Sequence, residues 1–399
     1  MPSARAKARA IITLLWLLLA AVPLVCLELL GFALTKVVPD LFDQRQPFLE
    51  SLQADDLERF KQSVASNTLG WDNPASDARR TRNCFGEEIT YTHNADRVRL
   101  HGSPPSDAVI LVAGDSYTHG DEVADHATYP AELERLLAVP VANLGVGGYG
   151  PEQALLKLEG LIDRFPKARI VVLSIMYENT RRMVNSYRPV YYRDTGMRFG
   201  FKPFMRDGAL HGLVGGDPFR DLPALRKAAD DAFDNDFWAR PRPQFPYAVS
   251  AIRAIVAPAF WVPALDGELI RLDSPQHRVF YSLPGIKQNL RALYDRFAGF
   301  AQRRNLRPVV AFIPPYQQDH TSGLIGIAAA TDEQRQRISF VNVGDDFDWS
   351  RFFRGCHPSA DGYAMIAAGV ARIVRPLLAA PSPDRNSGSQ RGLDQLDPI

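Results

Sequence analysis

The sequence has few cysteines and no excess of charge of either sign. Its three cysteines are too few for a disulfide scaffold, and the absence of a Cys-x-x-Cys pair argues against a zinc site. Lysine and arginine number 46 against 45 aspartate and glutamate residues, which gives a net charge of +1. Nucleic-acid binding normally requires a clustered basic surface, and this balance does not indicate one. We therefore expect no metal, no cofactor and no nucleic-acid partner.

Acidic residues are also missing from the start of the chain. Residues 11–27 form an apolar run, and the first acidic residue is Glu28. A run of this length can span a bilayer, and the basic residues before it favour a cytoplasmic N-terminus. A cleaved signal peptide is the alternative, but no small-x-small cleavage site follows the run. We predict an uncleaved single-pass anchor over residues 1–36 in a bacterial inner membrane, with the remaining chain facing the periplasm or cell exterior.

Beyond residue 105, short apolar runs alternate with helical patterns. We predict strands at 108–113, 140–145, 168–176, 308–313 and 339–343. We predict helices at 128–138, 151–165, 286–305 and 359–378. A linker with glycine and charged residues is expected before the last strand. Strands that alternate with helices imply βαβ units and a parallel sheet.

The alternation stops between about residues 183 and 283, where proline, tyrosine, phenylalanine and arginine are frequent. Such a segment is too long for a plain loop, so we expect an insertion with short helices over the ligand edge of the domain at 106–378. Its composition suits either a sugar-binding surface or an aromatic core. Residues 37–105 form a juxtamembrane segment with a peripheral helix at 47–66. The tail, 379–399, has a composition typical of disorder.

Four candidate site residues lie beside the predicted strand ends. Ser116 ends a Gly-Asp-Ser tripeptide after the first strand, and either Gly147 or Gly148 could expose a backbone N–H in the glycine-rich turn after the second. Asn179 follows the third strand, and His357 precedes the last helix. A nucleophilic serine requires a base close in space, and acyl transfer requires fixed donors for an oxyanion. Because open α/β sheets bind ligands at this edge, we expect the four residues to converge there.

The motifs GDSYTHG, NLGVGGYG and the His-Pro pair, in this order, resemble the SGNH (GDSL-type) hydrolase family, in a membrane-anchored bacterial branch. The resemblance implies a three-layer αβα, flavodoxin-like fold. It also implies that Ser116 is the nucleophile and His357 its general base. The N–H groups of Ser116, Gly148 and Asn179 would hold the oxyanion.

The resemblance further implies hydrolysis or transfer of ester-linked acyl groups, above all O-acetyl groups of a cell-surface or exported polysaccharide. Two alternatives belong to other functional classes. One is a catalytically inactive glycan-binding or assembly protein on the same fold, and the other is a lipid or thioester hydrolase.

The sequence departs from the family pattern at two places. The family usually has aspartate three residues before the catalytic histidine, where this chain has Arg354. Asp346, Asp348 or a backbone carbonyl could replace that acid. The asparagine motif also differs, because Tyr177 replaces its glycine and Thr180 its second acid. Loss of the acid would leave the imidazole without its orienting partner.

Two cysteines outside the predicted anchor could form a disulfide. If the body lies in an oxidising compartment, Cys84 and Cys356 can pair. Two free, buried thiols are the alternative.

Overall fold

The computed structural model describes residues 4–43, 45–192, 197–263, 279–315, 322–352 and 357–380. Arg354, Cys356 and the tail from residue 381 lie outside the described residues, as does the side chain of Asp346. The predictions that concern those positions are therefore carried forward as predictions.

The secondary structure is mixed, with helices in the majority. The helices are α1 Ala4–Val37, α2 Arg45–Ser51, α3 Ala54–Ser63, α4 Ser116–His119, α5 Tyr129–Leu137, α6 Pro151–Leu161, α7 Tyr177–Met183, α8 Arg188–Tyr191, α9 Leu222–Asn235, α10 Tyr247–Val256, α11 Val279–Ser282, α12 Ile286–Arg303, α13 Ser322–Ala329, α14 Asp332–Arg337, α15 Trp349–Phe352 and α16 Ala360–Ala379. The strands are β1 Ala65–Ser66, β2 Gly70–Trp71, β3 Ala78–Arg82, β4 Glu88–Thr92, β5 Ile110–Ala113, β6 Val141–Asn143, β7 Ile170–Ile175, β8 Phe204–Arg206, β9 Ala209–His211, β10 Arg307–Phe312 and β11 Ser339–Asn342.

Helix α1 contains the apolar segment that the sequence predicts. Its part Ile11–Val37 is long and apolar enough to cross a membrane, with a mean hydropathy of 2.4. Its leucine side chains are largely exposed rather than packed against the body. Exposed apolar side chains on this scale are unfavourable in water.

The prediction of a single peripheral helix at 47–66 is wrong, because two helices, α2 and α3, occupy this segment. The chain leaves the helical path at Leu52 and Gln53. This break lets Leu52 and Leu57, both almost fully buried, enter the main core. The hairpins β1–β2 and β3–β4 follow.

All five predicted strands of the main domain are present, as β5, β6, β7, β10 and β11. They form one parallel sheet in the order β6-β5-β7-β10-β11. Numbered along the chain, this order is 2-1-3-4-5. Such an order reverses direction beside its first strand, and a ligand crevice opens at that point beyond the carboxyl ends of the strands.

Helices cover both faces of the sheet, because successive strand residues point to opposite sides. On one face, Leu111 and Ala113 of β5 lie in a core with residues of α6 and α12. On the other face, Ile110 and Val112 lie in a core with residues of α5 and α16. Helix α16 is also apolar enough to cross a membrane by composition, but its buried side places it in the second core.

The insertion contains α8, the hairpin β8–β9, α9, α10 and α11. Its aromatic residues pack on one another: the rings of Tyr187 and Phe201 stack at 4.1 Å, and those of Trp238 and Phe280 at 5.7 Å. All four side chains are almost fully buried. These residues therefore form an aromatic core, not an exposed sugar-binding surface.

The prediction of a linker before β11 is wrong for the second half of that segment, which is helical. Helices α13 and α14 occupy Ser322–Ala329 and Asp332–Arg337. Gly323 and Gly326 permit α13 to lie close to Phe312 on β10, since a Cβ at Gly326 would come within 2.4 Å of that ring.

Candidate active site

Ser116 is the first residue of α4 and directly follows the turn after β5. Asp115 caps this helix, and its Oδ1 accepts a hydrogen bond from the Tyr117 N–H at 3.0 Å. The turn requires Gly114, because a Cβ there would lie 2.1 Å from Thr118 Oγ1. Ser116 is 6% exposed, and none of the hydrogen bonds of the described residues involves its Oγ. The hydroxyl is therefore held at the sheet edge without a competing partner among those residues.

Asp115 connects the serine turn to α7. Its Oδ2 accepts hydrogen bonds from Asn179 Nδ2 at 3.0 Å and from Arg182 Nη1 at 3.3 Å. Burial raises the pKa of the Asp115 carboxyl, and Arg182 and the Asn179 amide offset only part of this effect. The structure therefore brings Asn179 beside the residue that precedes Ser116.

The glycine-rich turn after β6 also contacts Asn179. Tyr149 O accepts from Asn179 Nδ2 at 3.3 Å, and Gly147 O accepts from the Trp71 indole at 3.0 Å. Gly148 has φ of +80°, a conformation that favours glycine. The backbone of this turn is thus fixed on both sides of Gly148.

Both amide hydrogens of Asn179 have protein acceptors, one on Asp115 and one on Tyr149. Its Oδ1 accepts from the Met176 N–H at 2.8 Å. An oxyanion at this place would have to displace one of the two donated bonds. Asn179 lies beside the turn that carries Ser116, and its amide is engaged in this conformation.

His357 contacts the segment that follows Ser116. Its ring lies 5.8 Å from the ring of Tyr117, edge to face, and its Nε2 lies 3.9 Å from Asp121 Oδ2. Its Nδ1 is buried and has no hydrogen-bond partner among the residues that the structure describes. These contacts join His357 to the neighbours of Ser116, and no hydrogen bond links the two residues themselves.

Asp121 is a site residue that sequence reasoning missed. Its Oδ1 lies 2.5 Å from His119 Nδ1, while its Oδ2 faces His357. His119 Nε2 in turn lies 3.0 Å from His93 Nε2. Helix α16 holds the same residue through the Tyr363 hydroxyl, which donates to Asp121 O at 2.9 Å.

Burial and neighbouring charges set the protonation states of Asp121, His119 and His93. Burial alone would raise the pKa of the Asp121 carboxyl, but the imidazoles of His119 and His357 outweigh it and lower that pKa. Burial lowers the pKa of His119 despite the neighbouring carboxylate. Burial also lowers the pKa of His93 to about 3. Asp121 is therefore an anion at neutral pH, and burial keeps His119 and His93 neutral.

The bonds imply one proton arrangement. A neutral His119 donates from Nδ1 to Asp121, so its Nε2 accepts from His93. His93 Nδ1 then carries no proton, which agrees with its having no hydrogen-bond partner. Among the described residues, no group of three histidine, cysteine or acidic side chains is arranged to hold a metal ion.

Sequence analysis could have found His119 and Asp121, because they form a His-x-Asp motif directly after the Gly-Asp-Ser turn. His93 directly follows β4, in a segment with no recognisable motif. No sequence pattern therefore indicated His93 as a site residue.

Tyr177 and Thr180, two positions where the sequence differs from the SGNH pattern, make structural contacts. Thr180 donates to Tyr177 O at 2.6 Å within α7. The Tyr177 ring packs against Tyr281 of α11 at 5.3 Å. Asp348 is exposed and accepts from the Ser350 hydroxyl at 2.7 Å, and its described hydrogen bonds do not include His357. Arg354 and the side chain of Asp346 lie outside the described residues.

Cys84 is disulfide-bonded, and its predicted partner, Cys356, lies outside the described residues. Its backbone N–H donates to the Glu122 carboxylate at 2.5 Å, one residue from Asp121. Cys26, on α1, is free and exposed.

Comparison with known proteins adds little beyond this geometry. No protein-family model matches the chain, and no curated protein matches it. A solved structure of a protein assigned to the lipolytic G-D-S-L family, from Desulfitobacterium hafniense DCB-2, covers 66% of this chain and 98% of its own. Its sequence identity is 13% and its TM-score 0.30. At this level of similarity, function has to be inferred from the chain's own residues.

Proposed function

We propose that the protein is an SGNH-type serine esterase or acyltransferase with a three-layer, flavodoxin-like fold. The observation that carries this proposal is the meeting of four elements at one sheet edge. The Ser116 turn, the Gly148 turn and α7 are joined through Asp115 and Tyr149 O, and His357 packs on the residue after Ser116. This arrangement supports the proposal because it would offer a nucleophile, a base and oxyanion donors from neighbouring segments.

In the proposed reaction, Ser116 Oγ forms a bond to the acyl carbon while its proton moves to His357. With Nε2 turned towards Asp121, the unpartnered Nδ1 is the nitrogen free to accept that proton. Collapse of the tetrahedral intermediate breaks the bond to the alcohol oxygen, which takes the proton from the imidazolium. Water or a sugar hydroxyl then attacks the acyl-enzyme, loses its proton to His357 and restores Ser116.

The oxyanion accepts hydrogen bonds from the backbone N–H groups of Ser116 and Gly148 and from the side-chain amide of Asn179. Removal of one such donor typically costs about 10²- to 10³-fold in rate. Because the Asn179 amide is bonded to Asp115 and Tyr149 O, its use requires a small shift of α7 or of the turn when substrate binds.

We propose a substrate class and a location as well. The substrate carries O-acyl, above all O-acetyl, groups on a cell-surface or exported polysaccharide. Helix α1, whose apolar part is Ile11–Val37, spans a bacterial inner membrane once, and the sheet domain faces the periplasm or exterior. An exported glycan would reach the enzyme on that side.

A fluorophosphonate probe on the full-length protein in detergent tests the nucleophile. We expect one labelled serine, lost in Ser116→Ala and retained in Ser350→Ala, an exposed-serine control. Labelling that persists in Ser116→Ala, or no labelling of the wild type, would contradict the proposal. With an acetylated glycan, release of acetate indicates hydrolysis, and acetate on an added acceptor sugar indicates transfer.

A glycan-binding protein without turnover is the second candidate. It is favoured by the 3.9 Å gap between His357 and Asp121 and by the engaged amide of Asn179. Titration calorimetry with acetylated and deacetylated glycan, run beside an acetyl-ester assay, separates the two. Binding without turnover at any pH supports this candidate. A preference for long acyl chains would instead indicate a lipid or thioester hydrolase.

A further inference from the structure

Helix α10, in the insertion, packs along the distal end of α1. The two backbones are so close at Gly31 that a Cβ there would lie 2.5 Å from the Tyr247 carbonyl carbon. The rings of Phe32 and Tyr247 meet edge to face at 5.1 Å. A glycine at the crossing is what permits this approach.

An acid of α1 caps α10. The Glu28 carboxylate accepts from the Tyr247 N–H at 2.7 Å and from the Ala248 N–H at 3.4 Å. The first N–H groups of a helix lack internal partners, and a carboxylate there also favours the helix dipole. Glu28 is thus satisfied by a helix of the body, although it lies in a long apolar segment where an isolated acid is costly.

The side of α10 that faces away from the body is apolar and exposed. Val249, Ile252 and Val256 fall on one stripe at helical spacing, and the last two are 62% and 64% exposed. Phe245, just before the helix, is 73% exposed. Ala251 and Ala254, on the opposite side, are buried.

We propose that α10 is a second membrane contact, lying in the outer interface of the bilayer that α1 spans, with this stripe among the lipid acyl chains. The inference rests on the proposal that α1 is a membrane anchor. The occupant is lipid because the stripe is continuous with α1, whose own side chains are exposed over the same stretch.

The depth agrees with this placement. A hydrocarbon core of about 30 Å needs about 20 helical residues, so a span that begins at Ile11 leaves the core near Leu30. The contacts with α10 begin at Glu28 and therefore lie at that exit. Helix α10 has 10 residues and is about 15 Å long, which is too short to cross. Exposed Arg253 on α10 can reach the phosphate headgroups.

Two membrane contacts would make α1 more than a flexible tether. The insertion also carries Met197, whose Sδ lies 3.2 Å from the place where a Gly148 Cβ would be. A body held through both α1 and α10 therefore presents its candidate site at a fixed orientation to the bilayer.

Spin-label accessibility on the full-length protein tests the inference in nanodiscs of phosphatidylethanolamine and phosphatidylglycerol. Labels are placed through Ile252→Cys, Leu19→Cys and Asp231→Cys in a Cys26→Ser background. Leu19 reports on the anchor, and Asp231 is an exposed control on α9. We expect the label at 252 to favour oxygen over a water-soluble nickel complex, as the label at 19 does and the one at 231 does not.

The outcomes are distinct. A nickel-accessible label at 252 beside a lipid-exposed label at 19 overturns the inference and leaves the anchor intact. Nickel access at both positions overturns the anchor as well. Adding Gly31→Leu, which wedges the helices apart, should raise nickel access at 252, whereas Ala33→Leu on the exposed side of α1 should not. No change with Gly31→Leu would contradict the packing that the inference requires.

Discussion

At the scale of single residues, Asp121 lies between two imidazoles, 2.5 Å from His119 and 3.9 Å from His357. A general base needs a nearby carboxylate to fix its orientation and stabilise its protonated form. What matters for that role is distance and charge, not the position of the acid along the chain. Asp121 supplies the charge from the segment that also carries the candidate nucleophile, and closure of the 3.9 Å separation from His357 would supply the hydrogen bond.

We expect Asp121→Asn to lower the kcat/KM for an acetyl ester by up to about 10⁴-fold, because the imidazolium loses its counter-charge. Steady-state kinetics across pH measure this effect. The matched control is Asp348→Asn, which changes the exposed acid that sequence reasoning offered for the same role. If Asp348→Asn removes activity while Asp121→Asn keeps it, the assignment is wrong.

Buried His93 predicts a pH dependence of stability. Folded His93 takes up a proton only near its pKa of about 3, whereas the unfolded residue does so near 6.5. The unfolded state therefore binds more protons between these values, and the free energy of unfolding falls as pH decreases from 6.5, by up to about 1.4 kcal/mol per pH unit for one proton.

Chemical denaturation of the detergent-solubilised protein between pH 7 and pH 4 measures the slope. His93→Gln should flatten it, and His126→Gln, at an exposed position, should leave it unchanged. An equal slope in wild type and His93→Gln would refute this origin.

At the scale of elements, α4 is placed by its contact with the turn after β6. A Cβ on Gly145 would lie 2.1 Å from the His119 backbone nitrogen, so turn and helix touch without an intervening side chain. The short helix cannot be shifted without moving Ser116, the candidate nucleophile at its start. Packing of this kind accounts for a glycine that the sequence motif alone does not explain.

Gly145→Ala should therefore destabilise the protein by about 1–3 kcal/mol and lower esterase activity, because α4 must move to accept the methyl group. Gly160→Ala is the control, because nothing lies within 4 Å of its Cβ position in α6. Alanine there should raise the free energy of unfolding by about 0.5–1 kcal/mol. Thermal unfolding and ester turnover of both variants measure the difference. Equal stability of the two variants would contradict the close contact.

At the scale of the whole molecule, distant segments converge on the site. The hairpin β3–β4 carries Cys84, which is disulfide-bonded, and Cys26 is free. We predict that the partner of Cys84 is Cys356, which lies outside the described residues. Such a bond would tie the juxtamembrane hairpin to the residue before His357.

Peptide mapping without reduction should recover Cys84 linked to Cys356, and reduction should separate the two peptides. Removing a native disulfide typically costs about 2–5 kcal/mol, so Cys84→Ser should unfold at lower temperature, and Cys26→Ser should not. Recovery of Cys84 as a free thiol would disprove the pairing.

The sequence by itself determined the five strands, the main helices and the apolar segment of α1, because burial on both faces of a sheet and helical periodicity leave strong local patterns. It did not reveal α13, since the segment SGLIGIAA has no polar face to mark it as a helix.

The sequence also named Ser116, Gly148, Asn179 and His357 as candidates, through motifs at strand ends. Only the tertiary structure decided which acid faces His357 and which helix packs on α1. These pairings join residues distant in the chain, and distance in space depends on the packing of whole elements. No local pattern encodes that packing.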